Sequence, residues 1–284
     1  MYLNCHTFHS LRYGTLSVED LVNTAKINGV DTLCLTDINT VTAIYEFLKL
    51  CKEAGIKPVV GMEVRHDNKL LYILLARNAK SIAEMNQLLT DYNCDEVPLP
   101  ERNPAFQHVI TIYPMDNVPE VLLDNEYIGI RPEQLNLLFR AEWKRLLDRM
   151  VILQPVTFNT KKEYNLHRVL RAIDYNTLIS KLQPQQYCTP DEVIKPLPVL
   201  LKSYEHYPEI VANTQSVIDA CSFDFDFSTP KNKKYYTDSK ANDLELLTRL
   251  TYEGLKKKYD PNDQAAIQRV EKELKVIDEL HFSG

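Results

Sequence analysis

Met1-Tyr2-Leu3-Asn4-Cys5-His6-Thr7-Phe8-His9-Ser10-Leu11-Arg12-Tyr13-Gly14 sets the architecture of this chain. A short apolar run enters a cluster of histidines and hydroxyls, and helical periodicity begins only at Ser17. Strand, polar tip and helix in that order is how a βα barrel presents chemistry, because functional groups sit on the loops after the C-terminal ends of its strands. The order then repeats. Ser17-Val18-Glu19-Asp20 is a capping box with Asp in the N3 place, and Leu21, Ala25 and Ile27 carry an amphipathic helix to Asn28-Gly29. Thr32 to Asp37 is a short apolar strand with a carboxylate at its exit. A helix from about Val41 to Ala54 follows, with Ile44, Phe47, Leu48 and Cys51 on one face and Gly55 as its stop. Lys57 to Val64 is the third strand and delivers Glu63 near its end. Right-handed crossovers bring equivalent strand ends to one rim, so His6, Asp37 and Glu63 are expected to converge there. They read either as a metal or acid–base site or as ordinary polar strand ends.

Composition bounds the answer. With 284 residues, 44% hydrophobic and 25% charged, the chain has the make-up of a globular protein of one large or two ordinary domains. No apolar run is long enough to span a bilayer and no signal peptide is evident, so no membrane partner and a cytoplasmic location are expected. The cysteines Cys5, Cys34, Cys51, Cys94, Cys188 and Cys221 are scattered, without zinc-finger spacing, and read as reduced, mostly buried thiols. A net charge of −6 argues against a broad phosphate-binding surface.

Further along, Leu70 to Ala76 reads as a strand paired with its predecessor across the His66-Asp67-Asn68-Lys69 turn. Ser81-Ile82-Ala83-Glu84 caps a helix, Asn93 to Asn103 is a loop, and Val109 to Tyr113 and Tyr127 to Ile130 are strands, the latter followed by a helix from Pro132. Met150 to Gln154 is a strongly apolar strand, and Thr160-Lys161-Lys162-Glu163 caps a long helix through Ile179 in which His167 reads as a packing residue. After Pro184 the βα rhythm ends, with Thr189-Pro190-Asp191-Glu192 reading as a helix start and a helix from about Pro208 to Cys221. Thr229 to Lys240, with Lys231, Lys233 and Lys234, reads as a solvated connection, followed by helices from Asn242 to Tyr259 and Asn262 to Leu280. Ile267, Val270, Leu274, Ile277 and Leu280 make an apolar stripe on the last.

These pieces resemble the PHP (polymerase and histidinol phosphatase) domain that begins bacterial DNA polymerase III alpha subunits. Cys5-His6-Thr7 with Ser10 and Gly14, then Leu35-Thr36-Asp37, then Gly61-Met62-Glu63-Val64 resemble its first three motifs, and Phe158-Asn159 with Leu166-His167-Arg168-Val169-Leu170 resembles the entry to its long helix. Tyr207-Pro208-Glu209, Ala212-Asn213-Thr214, Glu253-Gly254-Leu255, Glu273-Leu274 and Phe282-Ser283-Gly284 resemble the link into the polymerase palm. The resemblance implies a distorted parallel TIM-like βα barrel over 1–227, a linker over 228–240 and the helical start of the palm region over 241–284, a fragment that stops before the palm's catalytic aspartates. His6, Asp37, Glu63 and Asn159 are expected to face one cavity.

Active members of that family hold metal ions that activate a water for attack on a phosphoester. Here the resemblance places Asn4, Tyr13, Ile38, Leu71, Thr160 and Lys162 at positions of ligands or their neighbours. Only His6 and Glu63 remain as weak remnant ligands, with His9 an extra candidate, and two ligands cannot hold a cluster. No metal or other cofactor is therefore expected in these residues and none of them is expected to be catalytic. Arg12 or Lys162 is expected to supply the positive charge that the metals gave, paired with Glu63 or Asp37. The resemblance thus implies a non-catalytic structural or docking module of a DNA polymerase in replication or repair. Mg²⁺ would sit in the parent's palm, DNA would be met through the parent chain, and partners would be the rest of that chain and other replication or repair factors. The alternative is a working phosphoesterase with Zn²⁺ or Mn²⁺ in the pocket, either a 3′→5′ exonuclease or a small-molecule phosphatase.

Overall fold

The computed structural model describes residues 1–229, 231 and 235–284, which fall into two compact units, Met1–Phe225 and Asp226–Gly284. The first unit is built on a curled sheet of β1 (Asn4–Cys5), β2 (Thr32–Leu35), β3 (Lys57–His66), β4 (Lys69–Ala76), β5 (Val109–Pro114), β6 (Glu126–Ile130), β7 (Met150–Ile152) and β8 (Pro155–Val156). Six of these run in the order β2-β3-β4-β5-β6-β7, and β1 pairs with β8.

One extended segment ties the two edges together. Its first half, β7, pairs with β6, and its second half, β8, pairs with β1. On its other side β1 meets β2 through a parallel bridge from Tyr2 to Leu33 and the bonds Cys34 N to Tyr2 O (3.0 Å) and Thr36 N to Cys5 O (2.9 Å). The strands therefore close into a distorted barrel. It is not wholly parallel: β4 runs antiparallel to β3, as the short turn at Asp67-Asn68 requires, and also to β5.

Alternation along the strands divides the core. Ile73 and Leu75, Ile110 and Ile112, Val151 and Leu153 join Leu3, Cys34 and Val59 in one cluster that Val217 and Ile218 close. The intervening residues, among them Tyr72, Leu74, Val109, Met150 and Ile152, pack in the larger cluster with the helices. Those helices are α1 (Val18–Ile27), α2 (Ile44–Ala54), α3 (Ala79–Cys94), α4 (Ala141–Lys144), α5 (Lys161–Asp174), α6 (Leu197–Ser203) and α7 (Pro208–Ala220). Three caps follow the sequence: Ser17 accepts from Asp20 N, Gly55 takes a φ of 73°, and Thr160 and Glu163 form a reciprocal capping box; α3 instead is capped by Asn78, with Ser81 at its third position accepting from Asn78 N.

Several expectations need correction. Ile27 ends α1 facing solvent rather than the core. The helix from Pro132 is a 3₁₀ helix, Pro132–Phe139, in which Leu138 alone is buried. Helix α5 stops at Asp174, short of Ile179. Thr189 to Glu192 starts no helix; it is a turn that sends the Glu192 carboxylate inward, where side chains of other segments take it up. All six cysteines are free, and Cys94 is exposed.

The second unit contains α8 (Lys240–Lys258), capped by Ser239, and α9 (Gln264–Glu279), capped by Asp263. Ile267, Val270, Leu274 and Ile277 are half-buried and Leu280 is exposed. Lys231 binds Asp226 at 3.0 Å, while Lys233 and Lys234 lie outside the described residues. No helix among the described residues is long and apolar enough to cross a membrane.

Candidate functional site

Two side chains on β1 and its exit reach the same carboxylate. Asn4 Nδ2 donates to Glu63 Oε2 at 2.8 Å, and His6 Nε2 lies 3.0 Å from the same oxygen. Residues two apart on an extended chain share a face, which is why Asn4 and His6 act together. The other side of His6 meets the Thr157 hydroxyl, Nδ1 to Oγ1, at 3.1 Å. Thr157 Oγ1 in turn gives its proton to Glu192 Oε2 at 2.9 Å, and Arg131 reaches Glu192 Oε1 at 3.4 Å. Thr157 has one proton and spends it on Glu192, so its oxygen accepts from His6 Nδ1.

Glu63 is wholly buried, and its second oxygen is covered by Arg65, which donates Nε to Oε1 at 2.6 Å and brings a terminal nitrogen to the same atom. Burial pushes the Glu63 carboxyl up, but the Arg65 guanidinium and His6 outweigh it and hold its pKa down at about 2. Arg65 is itself held by two further groups. Asn39, at a φ of 50°, donates its side-chain amide to Arg65 O (2.7 Å) and accepts from Arg65 N (2.9 Å), in the manner of a neighbouring strand. The guanidinium lies 4.5 Å from the centre of the Tyr13 ring, a cation–π contact in a buried setting.

Asp37 is handled differently. Its oxygens accept from Thr7 N (2.6 Å), Thr7 Oγ1 (2.7 Å) and Ser10 Oγ (2.6 Å), all neutral donors on the loop after β1. This carboxylate fastens that loop, and Ser10 Oγ also accepts from Ile38 N at 3.0 Å. Tyr13, buried, makes near-perpendicular ring contacts with both His6 and His167. His167 Nε2 accepts from Cys188 N (3.0 Å), so Nδ1 carries the proton and donates to Tyr13 O (2.7 Å). Burial lowers the His167 pKa to about 4, which keeps this ring neutral. His167 is a structural link, as the helical position suggests.

The remaining sequence candidates are spread out. Ile38 packs with Tyr13, Phe158 and Cys188 and bridges Glu63 through its backbone. Leu71 lies in the core. His9, half-buried beside Phe8, touches neither Glu63 nor Asp37. Asn159 turns its amide to Thr24 of α1 (2.6 Å), away from the carboxylates. Thr160 and Lys162 are exposed at the first turn of α5, and Arg12, at a φ of 58°, pairs with Asp174 at 3.1 Å. The cation on Glu63 is therefore Arg65, not Lys162 or Arg12, because Lys162 projects from the outer side of α5 and the Arg12 backbone turns its side chain toward that helix's end. Reading by motif passed over Arg65, Arg131, Thr157 and Glu192. Only Arg65 had a signal, being two residues beyond Glu63 on one strand and so on its face.

A cavity of about 370 Å³ lies beside this cluster, lined by Tyr13, Lys69, Arg65, Arg131, Tyr187 and Glu192; His6, Asp37, Glu63 and Asn159, expected to face one cavity, do not line it, because each bonds to other protein groups instead. Among the described residues no three His, Cys, Asp or Glu side chains converge on a point that could hold a metal. The reason is chemical: both nitrogens of His6 and both oxygens of Glu63 and Asp37 already bind protein groups, and a guanidinium stands against Glu63. The residues present do not fit a metal cluster. Glu63 has both oxygens doubly engaged, by Asn4 and His6 on one side and by Arg65 on the other, whereas Asp37 Oδ2 accepts only from Thr7 Oγ1.

Residues 3–125 match the family model of the PHP domain. An error-prone DNA polymerase of Symbiobacterium thermophilum is 22% identical over 331 residues, covering 99% of this chain and 30% of its own length. The DNA polymerase III alpha subunit of Halalkalibacterium halodurans is 23% identical over 317 residues, covering 100% of this chain and 28% of its own. That of Bacillus subtilis is 22% identical over 320 residues, with coverage of 100% and 28%. The chain thus spans less than a third of the length of these relatives.

Proposed function

We propose that this chain, whose residues 3–125 match the PHP domain, is the PHP region of a DNA polymerase of the polymerase III alpha type, serving as a non-catalytic structural and docking module. The observation that carries this reading is the pairing of Arg65 with Glu63: a fixed guanidinium occupies the carboxylate on which a metal would depend. In this reading residues 1–227 are the barrel domain, 228–240 connect, and 241–284 begin the polymerase's own palm region. Templated nucleotidyl transfer, with Mg²⁺ held by palm aspartates, belongs to the parent chain in the cytoplasm. DNA is met by that chain rather than by this acidic domain, and the partners of this domain are the rest of the polymerase and other replication or repair factors.

The test is direct. The purified chain, offered 3′-labelled DNA and a chromogenic phosphate ester with Mn²⁺ or Zn²⁺, is expected to turn over neither, and its melting temperature is expected to be the same with and without EDTA. Turnover that His6→Ala abolishes would establish the phosphoesterase alternative instead.

A further inference from the structure

Helix α5 is turned inside out. The residues it buries include the polar His167 and Arg171, which hold Tyr13 O, Cys188 N, Gln186 O and the Asn68 side chain. Its outer face carries Leu166, Val169 and Ile173, at a spacing that aligns them in one stripe, with Leu166, Val169 and Ile173 exposed by 46%, 37% and 60%. Leu178 and Ile179, just beyond the helix, extend the stripe and are exposed by 63% and 40%. All of these but Leu166 border an open groove of about 910 Å³ lined by Val169, Ala172, Ile173, Leu178, Ile179 and Lys181. An amphipathic helix that faces its apolar stripe to water is the reverse of what folding alone favours, and contiguous exposed apolar surface marks a binding face.

The charge around the stripe specifies what would cover it. Lys162 stands one turn before Leu166 on the same face, Lys161 beside it, and Lys181 closes the far end. None of the three ammonium groups has a carboxylate within ion-pair distance among the described residues, in a chain whose net charge is −6. Leucine and isoleucine give no stacking platform for bases and no donors for phosphate, so nucleic acid would use the lysines and waste the stripe. The geometry points to α5 and the 177–181 segment as a docking groove for an amphipathic helix of a partner protein, with apolar anchors at i, i+3 or i+4 and i+7 flanked by Asp or Glu. This deepens the docking half of the proposed function and rests on that reading for its biological sense alone.

The experiment is a selection with the 284-residue chain as bait against a displayed library of 16-residue helices whose apolar and flanking charged positions vary independently. Enriched helices are expected to carry that apolar spacing with acidic flanks. Their affinity should fall at least about tenfold on Ile173→Asp and on the Lys161→Glu/Lys162→Glu double change, both at exposed positions, with unchanged circular dichroism. Parallel titrations use fluorescent duplex DNA and vesicles of phosphatidylglycerol. The inference is overturned if no helix is enriched, if the enriched flanks are basic or neutral, or if binding ignores Ile173→Asp. It is also overturned if Ile173→Asp removes binding to DNA or vesicles, which would assign the face to them. Since no step reads phosphoesterase or polymerase activity, a positive hydrolysis assay would sink the proposed function without touching this result.

Discussion

Arg65 Nε meets Glu63 Oε1 at 2.6 Å, two residues apart on β3 and beside a bulge between Val64 and Arg65. The bulge matters because it re-aims the strand where the two side chains must meet rather than run parallel. Since Glu63 is wholly buried, the pair is one in which removing a partner leaves an uncompensated charge. Arg65→Met is therefore expected to cost about 3–5 kcal/mol in urea unfolding at pH 7. Glu63→Gln in the same background is expected to recover most of it, since the double variant buries no unpaired charge. A loss under about 0.5 kcal/mol for Arg65→Met would show that His6 and Asn4 suffice for Glu63.

The neutral ring of His167 makes stability depend on pH. Burial lowers its pKa to about 4 from the ordinary 6.5, with the Tyr13 carbonyl opposing and Arg171 assisting. A group with a lowered folded pKa contributes fully above its unfolded value, and the contribution is lost as pH falls toward the folded one. Between pH 6.5 and 4 the unfolded chain takes up a proton that the folded chain refuses, so roughly 3 kcal/mol is expected to drain away across that window. Gln can accept from Cys188 N and donate to Tyr13 O as the imidazole does, so His167→Gln should flatten this slope. Stability–pH curves that run parallel for the two proteins would rule the ring out as the source.

Gly14 is the other point on which the site rests. A Cβ there would lie 1.8 Å from Thr7 O, and Gly14 N donates to Ser10 O at 2.9 Å, so the chain folds back on the loop that grips Asp37. Gly14→Ala is expected to lose about 3 kcal/mol or more and to speed hydrogen exchange at the Thr7 amide, whose acceptor is Asp37 Oδ1. Protection of that amide unchanged by the substitution would mean that the loop yields without releasing Asp37.

The sequence makes some of this site plain and hides the rest for physical reasons. Asp37 and Glu63 stand out because a carboxylate at the exit of an apolar strand is conspicuous, and the barrel order follows from strands and helices that alternate with clear caps at Ser17 and Thr160. Lys162 and Arg12 misled because standing at or beside a ligand position does not say where a side chain points; a first-turn helix residue and a left-handed loop residue both point away. Glu192 was invisible, since Thr-Pro-Asp-Glu is a good helix start in isolation. Only the return of the chain past Thr157 gives its carboxylate another use.

Two substitutions should give the Glu63 site a metal. Asn4 already donates to Glu63 Oε2 at 2.8 Å and shares the face of His6, so Asn4→His would set a second imidazole beside the first. That alone should not bind metal, because Arg65 still covers Glu63 Oε1 and repels a cation. Arg65→Ser frees the carboxylate, and the Asn4→His/Arg65→Ser chain then has two imidazoles and Glu63 at one point, the three protein ligands that a divalent site needs. Zn²⁺ or Mn²⁺ is expected to raise the melting temperature of the double variant by several degrees, reversed by EDTA and lost when Glu63→Gln is added. The parent chain and each single variant should not respond. A double variant that is folded by circular dichroism yet indifferent to both metals would show that Arg65 is not what keeps cations out.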